Sequence, residues 1–264
     1  MRGSAISVDA VAGEGLRPIT TGGWRRGFVP MLRKELGQWW GTRQWMVQAA
    51  TWLILVDGVI ALLMIVDPGE DSLQAFLQVG ALVTAVGVIV SVQSAVVGER
   101  QRGTAAWVLS KPVSRPAFLL AKLASYAVGF GALALVLPSG VYVLERRLIL
   151  GTVPATTPLL GAVGLWGLHL LVYLTLMLAL GTIFRGRGPV AAVGIGLLLT
   201  GQFFGGMFPV SITGVLPWIL PELSTAVAAQ RTPPSSVPTA VIANLVLVVV
   251  LAAIGLWRLG REEL

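Results

Sequence analysis

The stretch LQAFLQVGALVTAVGVIVSVQSAVV, residues 73–97, decides the fold class because it contains no charged residue. A helix that crosses a bilayer needs about 20 predominantly apolar residues, and this stretch is longer than that. Five more apolar stretches share this character, at about 45–66, 117–144, 158–184, 189–208 and 239–257. The sequence therefore predicts an all-α membrane protein with six transmembrane helices.

The composition supports a membrane protein. Of the 264 residues, 55% are hydrophobic and 12% are charged, whereas a soluble domain carries about 25% charged residues. The chain has no cysteine, so disulfide frameworks, thiolate metal sites and cysteine nucleophiles are excluded. With a single histidine, His169, a metal site would also lack its other usual ligands. We therefore expect His169 to have a structural role in helix packing.

The basic residues are distributed unevenly between the two sides of the predicted bundle. Alternate connections place sixteen of the nineteen Lys and Arg residues on one side, and only Arg146, Arg147 and Arg231 on the other. Loops rich in Lys and Arg remain in the cytoplasm. We therefore expect a multi-pass cell-membrane protein with both termini cytoplasmic. The net charge of +7 then reflects topology, and no nucleic-acid partner is expected.

Three segments lie outside the six stretches. Residues 1–27 have too few apolar side chains to offset the entropy of ordering, which predicts a disordered cytoplasmic tail before a single transmembrane domain, residues 28–264. Residues 28–43 predict an amphipathic helix lying in the cytoplasmic membrane interface. Its candidate interfacial residues are Arg33, Lys34, Glu35, Trp39, Trp40 and Arg43. The prolines between residues 209 and 238 forbid one continuous helix and predict short helices that dip into the outer leaflet before the sixth span.

The largest internal cytoplasmic connection, residues 97–125, contains several helix signals. Thr104 can cap a short helix that Pro112 ends, and Ser114 can cap the next helix, with Pro116 in its first turn. The connection is also strongly cationic. These signals predict a short amphipathic helix held between the second and third spans at the cytoplasmic surface.

The same connection resembles the ABC type-2 transport permeases. Their hallmark is a glutamate ending the second span, a Gly-Thr pair four residues later, a leucine-bearing helix, a Pro-x-Ser-Arg turn and a lysine early in the third span. The matching residues are Glu99, Gly103, Thr104, Leu109, Pro112, Ser114, Arg115 and Lys122. The segment 28–43 also looks like the family's interfacial elbow helix, so the resemblance covers about residues 28–258. Gln101 and Ala105 depart from the family pattern, which leaves the specificity for a partner open.

The resemblance implies a coupling helix, around residues 100–110 and including Arg100 and Arg102, that sits in a groove of a separate ATP-binding subunit. It also implies two copies of that subunit and a second permease copy or homologue. No lysine of the chain follows a glycine, as a phosphate-binding P-loop requires. We therefore expect no enzymatic activity and no cofactor in this chain, with ATP and Mg bound by the partner.

On this basis we expect the permease subunit of an ATP-driven exporter in the lipid bilayer, with a hydrophobic or amphipathic cargo such as a drug, lipid or peptide. The alternatives are an intramembrane enzyme and a structural or sensory membrane subunit that transports nothing. Recognisable nucleophile or paired metal-ligand motifs are missing from the sequence, which disfavours the intramembrane enzyme. Co-purification with an ATPase would separate the first function from both alternatives.

Several residues within the spans are candidates for a transport pathway or for a helix interface. They are Asp57, Gln93, Gly201, Gln202, Gly205 and Asn244. An isolated carboxylate in mid-membrane costs roughly 2.5 to 3.5 kcal/mol, so Asp57 either belongs to a pathway or fixes helix packing. The amide side chains can line a pathway or bond a neighbouring helix, and the pair Gly201 and Gly205 would suit a dimer interface of two permeases.

Overall fold

The computed structural model describes residues 23–68, 71–101, 113–233 and 235–261. In these ranges there is no β-strand, and six helical spans are long and apolar enough to cross a membrane. The spans are Gln44–Val66, Ser72–Gln101, Arg115–Leu150, Thr156–Ile183, Arg187–Met207 and Val237–Arg261. The predicted all-α membrane fold with six spans is confirmed. Residues 1–22 of the predicted tail lie outside the described residues.

Following the topology predicted from the charges, we call the end of the bundle that holds Phe28 and Arg261 the inner end, and the opposite end the outer end. The third span extends to Leu150, several residues beyond the predicted limit. Gly151, with a φ of 70°, ends this span in the left-handed conformation that glycine favours.

Four of the spans are not regular α-helices throughout, and the fifth ends in a 3-10 turn at Gly205–Met207. The first span changes to a π-helix at Leu53–Gly58, and the third does so at Gly131–Val136. The second span is α-helical over Ser72–Val92 and resumes as a short helix, Val97–Gln101, after a turn. Segments of π-helix are rare and occur frequently at functional sites. At each interruption the span departs from a regular α-helix.

The fourth span forms the core of the bundle. It packs against the second and sixth spans and buries the side chains of Trp166 and Tyr173 almost completely. Glycines in the second span allow close packing against the fourth span and the first span. A Cβ atom on Gly80 would lie 2.6 Å from the ring of Trp166, and one on Gly87 would lie 2.0 Å from the ring of Trp52. The fifth and sixth spans are mostly exposed, as expected of helices with lipid or a partner around them.

A helix over Phe28–Trp40 precedes the first span, as the sequence predicts, and packs along the start of the third span. Trp39 and Trp52 both contact the ring of Phe130, at centroid distances of 5.4 and 6.0 Å. A straight helix would hold these two tryptophans about 20 Å apart. The chain therefore bends after Trp40. The orientation of this helix relative to the membrane interface stays a prediction.

The segment between the fifth and sixth spans forms two short helices, Val210–Thr213 and Ile219–Ala228. The second one packs against the second and fourth spans. Residues 212–220 do not form one helix because Pro217 disfavours a helical conformation at the residue before it. The new helix starts after that proline and holds Pro221 in its first turn, where proline is tolerated. We call residues 209–231 the outer hairpin.

Candidate functional site

Four charged side chains meet at the inner end of the bundle. The ammonium nitrogen Nζ of Lys122 lies 2.9 Å from Oε1 of Glu99 and 3.2 Å from Oε1 of Glu35. The side chains of this trio are only 3%, 9% and 4% exposed, respectively. Lys34, which is 45% exposed, lies 3.7 Å from Glu35 and 3.8 Å from Glu99. We call these four residues the inner charge cluster.

The local sequence of three elements positions this cluster. On the helix Phe28–Trp40, Met31 and Glu35 are four residues apart and therefore share the face that packs on the third span. Lys122 lies in the second turn of the third span, where its ammonium group also sits 5.2 Å above the ring centroid of Phe118. Glu99 belongs to the short buried helix that ends the second span.

The electrostatic balance of the cluster explains how it can be buried. Among the described residues, two carboxylates face two ammonium groups, so the formal charges of these four side chains cancel. Removing charges from water is expensive, and their attraction repays this only when the geometry is good and partners are present. The cluster therefore ties the N-terminal helix, the second span and the third span together, and the loss of Lys122 removes the buried ammonium group that contacts both carboxylates.

The end of the second span is also attached to the fourth span. The guanidinium of Arg100 donates to the backbone oxygens of Thr182 at 3.3 Å and Phe184 at 3.4 Å. Gln101 donates to the backbone oxygen of Arg185 at 3.3 Å. A cation at the carboxyl end of a helix satisfies its free carbonyl groups and its dipole. These bonds join the inner ends of the second and fourth spans.

The start of the third span is anchored in a similar way. Ser114 accepts a hydrogen bond from the backbone nitrogen of Ala117 at 3.2 Å, which confirms the predicted cap. Its own backbone nitrogen donates to the oxygen of Arg26 at 2.9 Å. Arg115 donates to the backbone oxygen of Gly260 near the end of the sixth span.

Both flanks of residues 102–112 are thus anchored to the bundle, but these residues lie outside the described residues. The candidates that fall there are Arg102, Gly103, Thr104, Leu109 and Pro112. The coupling helix itself therefore stays a prediction. Sequence reasoning named Glu99 and Lys122 in one segment and Glu35 in another, and the structure brings all three together. Arg33 and Arg43 of the interfacial set are exposed, while Trp39 is packed inward against Phe130.

Comparison with known protein families assigns this chain to one of them. Residues 67–259 match the model of the ABC-2 family transporter protein. The chain belongs to the ABC-2 transporter family. Members are membrane components of transporters and normally partner with an ATP-binding subunit. The matched region of this ABC-2 protein contains Glu99 and Lys122, whereas Glu35 precedes it.

One relative of this ABC-2 protein is the uncharacterized transmembrane protein YxlG of Bacillus subtilis (strain 168). The two are 31% identical over 130 residues, which is 46% of each chain. The match thus spans about half the length of that relative.

A cavity of about 550 Å³ lies between the second, fourth and fifth spans of this ABC-2 protein and the outer hairpin. Polar and aromatic side chains form much of its wall: Gln74, Gln78, His169, Gln202, Trp218 and Glu222. Of the pathway candidates predicted from sequence, Gln202 and Gly201 lie on this wall. Two further glutamines of the wall could have been found from the sequence, since Gln74 and Gln78 are four residues apart and share a helix face.

Three other polar candidates lie elsewhere in this ABC-2 protein. Gln93 donates to the backbone oxygen of Val90 in its own helix at 3.0 Å. Asn244 donates to the backbone oxygen of Ala240 at 2.9 Å and to that of Val215 in the outer hairpin at 3.4 Å. Asp57 lies in the π-helical part of the first span and is 1% exposed. Neither of its carboxylate oxygens has a hydrogen-bond partner among the described residues.

The two glycine candidates of this ABC-2 protein differ. The ring of Trp218 covers Gly201, so closely that a Cβ atom there would lie 2.1 Å from it, while Gly205 has open space. A dimer interface through Gly201 stays a prediction, and it would require Trp218 to move. Within the described ranges, no group of three or more His, Asp or Glu side chains could hold a metal ion.

Proposed function

We propose that this chain is the permease subunit of an ATP-driven exporter, in which the inner charge cluster transmits movements of an ATP-binding subunit to the spans. The main support for this function is that Lys122 contacts Glu99 and Glu35 at 2.9 and 3.2 Å in a member of the ABC-2 family. These contacts join three elements at the end of the bundle where the connection 102–112 begins and ends.

Residues 102–112 connect the second and third spans. A subunit that pushes on residues 102–112 displaces the end of the second span at Glu99 and the start of the third span at Ser114. Because buried ion pairs lose much of their stability when one partner moves away, Lys122 and Glu99 move together, and Glu35 moves with them. Arg100 passes the same displacement to the fourth span through Thr182 and Phe184.

The assembly that fits this mechanism has two ATP-binding subunits, which bind ATP and Mg, and a second permease copy or homologue. Both termini and the connection 102–112 lie in the cytoplasm, in accordance with the distribution of Lys and Arg. The exposed fifth and sixth spans leave room for a second permease. The cargo is hydrophobic or amphipathic, such as a drug, lipid or peptide.

The test begins with the intact complex. The tagged full chain is purified in mild detergent from the cells that produce it, and its ATP-binding partner is identified by mass spectrometry and reconstituted with it in proteoliposomes. We expect Lys122→Met to retain the partner but to lose most of the coupling. Coupling is measured as the change in ATP turnover of the ATP-binding subunit when the permease is present.

The matched control is Lys34→Met, which removes the exposed ammonium group of the same cluster and should retain coupling. The conservative Lys122→Arg variant should recover part of it. The proposed function would be refuted if no ATP-binding subunit accompanied the chain, and the coupling role would be refuted if Lys122→Met behaved as the wild type.

A further inference from the structure

The cavity between the second, fourth and fifth spans and the outer hairpin needs an explanation. Polar side chains inside a membrane-spanning bundle are costly and are retained mainly where they serve a function. Three glutamines contribute amide groups to the wall, and only Gln74 among them has a hydrogen bond from another described residue that involves its side chain. The volume of about 550 Å³ lies in the range of small-molecule sites.

His169 lines the cavity and is held by the outer hairpin. Nδ1 of His169 lies 3.1 Å from the backbone oxygen of Pro217. A carbonyl oxygen only accepts, so Nδ1 carries the proton and donates. Nε2 of the neutral ring is then an acceptor. His169 is 2% exposed, and this Nε2 has no hydrogen-bond partner among the described residues. Because this atom is enclosed, the acceptors that a ligand can reach are the side-chain amides of Gln78 and Gln202, which are exposed.

Among the charged side chains of the wall, one carboxylate is available to accept a hydrogen bond from a ligand. Arg231 is compensated, because its guanidinium donates to Oε1 of Gln74 at 2.8 Å and lies 3.6 Å from Oδ2 of Asp71. Glu222 is exposed and has no ion-pair partner within the described part of the chain. It lies in the first turn of the helix Ile219–Ala228, where a negative charge is favourable.

An aromatic ring completes the wall. The indole of Trp218 is fixed by a hydrogen bond from its Nε1 to the backbone oxygen of Leu197 at 3.0 Å and by its contact with Gly201. Leu82 and Leu198 add apolar surface beside it. The combination of an exposed carboxylate, two exposed glutamine amides and an apolar flank matches one kind of ligand.

We infer that this cavity binds the head group of a cationic amphiphile whose ammonium group carries at least one N–H. The ammonium group pairs with Glu222, its N–H satisfies the acceptors of the wall, and the alkyl part lies along the leucines. As a statement about cargo this rests on the proposed export function. As a statement about binding it concerns this chain alone.

The experiment uses the full chain in phosphatidylcholine nanodiscs without any ATP-binding subunit. Binding of radiolabelled dodecylammonium is measured and corrected with empty nanodiscs, and dodecyltrimethylammonium and dodecanoate serve as comparison probes. We expect saturable binding of dodecylammonium, weaker binding of dodecyltrimethylammonium, which has no N–H, and no saturable binding of dodecanoate. Glu222→Gln should weaken dodecylammonium binding about tenfold, as expected for the loss of a hydrogen bond to a charged group.

The matched control is Asp67→Asn, which removes another exposed carboxylate at the outer end and should leave binding unchanged. Gln202→Leu removes an exposed amide of the wall and should also weaken binding. Equal binding by all three probes, or an unchanged affinity in Glu222→Gln, would overturn the inference. If binding depends on Glu222 but no ATP-binding subunit associates with the chain, the export function fails and the binding site stands. If an ATP-binding subunit associates with the chain but dodecylammonium binding does not depend on Glu222, the binding site is refuted and the permease function stands.

Discussion

Replacing Lys122 by methionine tests the inner charge cluster most directly. Methionine keeps much of the length and volume of the lysine stem, so the change removes the ammonium group with little loss of packing. It leaves the carboxylates of Glu35 and Glu99, which are 4% and 9% exposed, facing each other. Removal of one partner of a buried ion pair typically costs about 3 to 5 kcal/mol.

The position of Lys34 sets where in that range the effect should fall. Its Nζ already lies 3.7 Å from Glu35 and 3.8 Å from Glu99 and can compensate part of the remaining charge. We therefore expect Lys122→Met to lower the free energy of unfolding by about 3 kcal/mol, the lower limit for a buried pair. Lys34→Met should lower it by at most about 1 kcal/mol, since exposed ion pairs contribute little.

Equilibrium unfolding of the purified chain from mixed micelles by sodium dodecyl sulfate measures these differences. The double variant Lys122→Met with Glu35→Gln balances one carboxylate against Lys34 again, so it should be more stable than Lys122→Met alone. Coupling energies of contacting residues are about 0.5 to 3 kcal/mol. Equal destabilisation by Lys122→Met and Lys34→Met would contradict the importance of the buried ammonium group, and so would a further loss of stability when Glu35→Gln is added to Lys122→Met.

Three further predictions concern packing, capping and the buried carboxylate, and the same unfolding measurement checks each. Gly87→Ala should destabilise the chain by about 1 to 3 kcal/mol, as overpacking does, because the new Cβ would lie 2.0 Å from Trp52, whereas Gly196→Ala, with nothing within 4 Å, should not show this loss. Ser114→Ala removes the cap of the third span and should cost about 1 kcal/mol; a change below the measurement error would contradict the capping role. Asp57→Asn should raise stability by about 1 kcal/mol or more, because no described group donates to the buried carboxylate, and a loss of stability would show that its charge has a partner.

Much of the fold could be predicted because its determinants are local in the chain. The six apolar stretches, the cap at Ser114 and the prolines of the outer hairpin act within a few residues of themselves. The π-helical segments could not be predicted, because Leu53–Gly58 and Gly131–Val136 have the same apolar composition as their surroundings. The contact between Trp218 and Gly201 was missed as well, since the two residues belong to different elements.

The sequence by itself determined that the chain is a six-span membrane protein, and it contained each charge of the inner cluster. Only the tertiary structure decided that those charges meet. Lys122 is 87 residues from Glu35 and 23 from Glu99, and no periodicity states which helices lie side by side. The same holds for the cavity, whose wall combines three spans with the outer hairpin. Burial makes these ion pairs important for stability, because the same charges in water would contribute little.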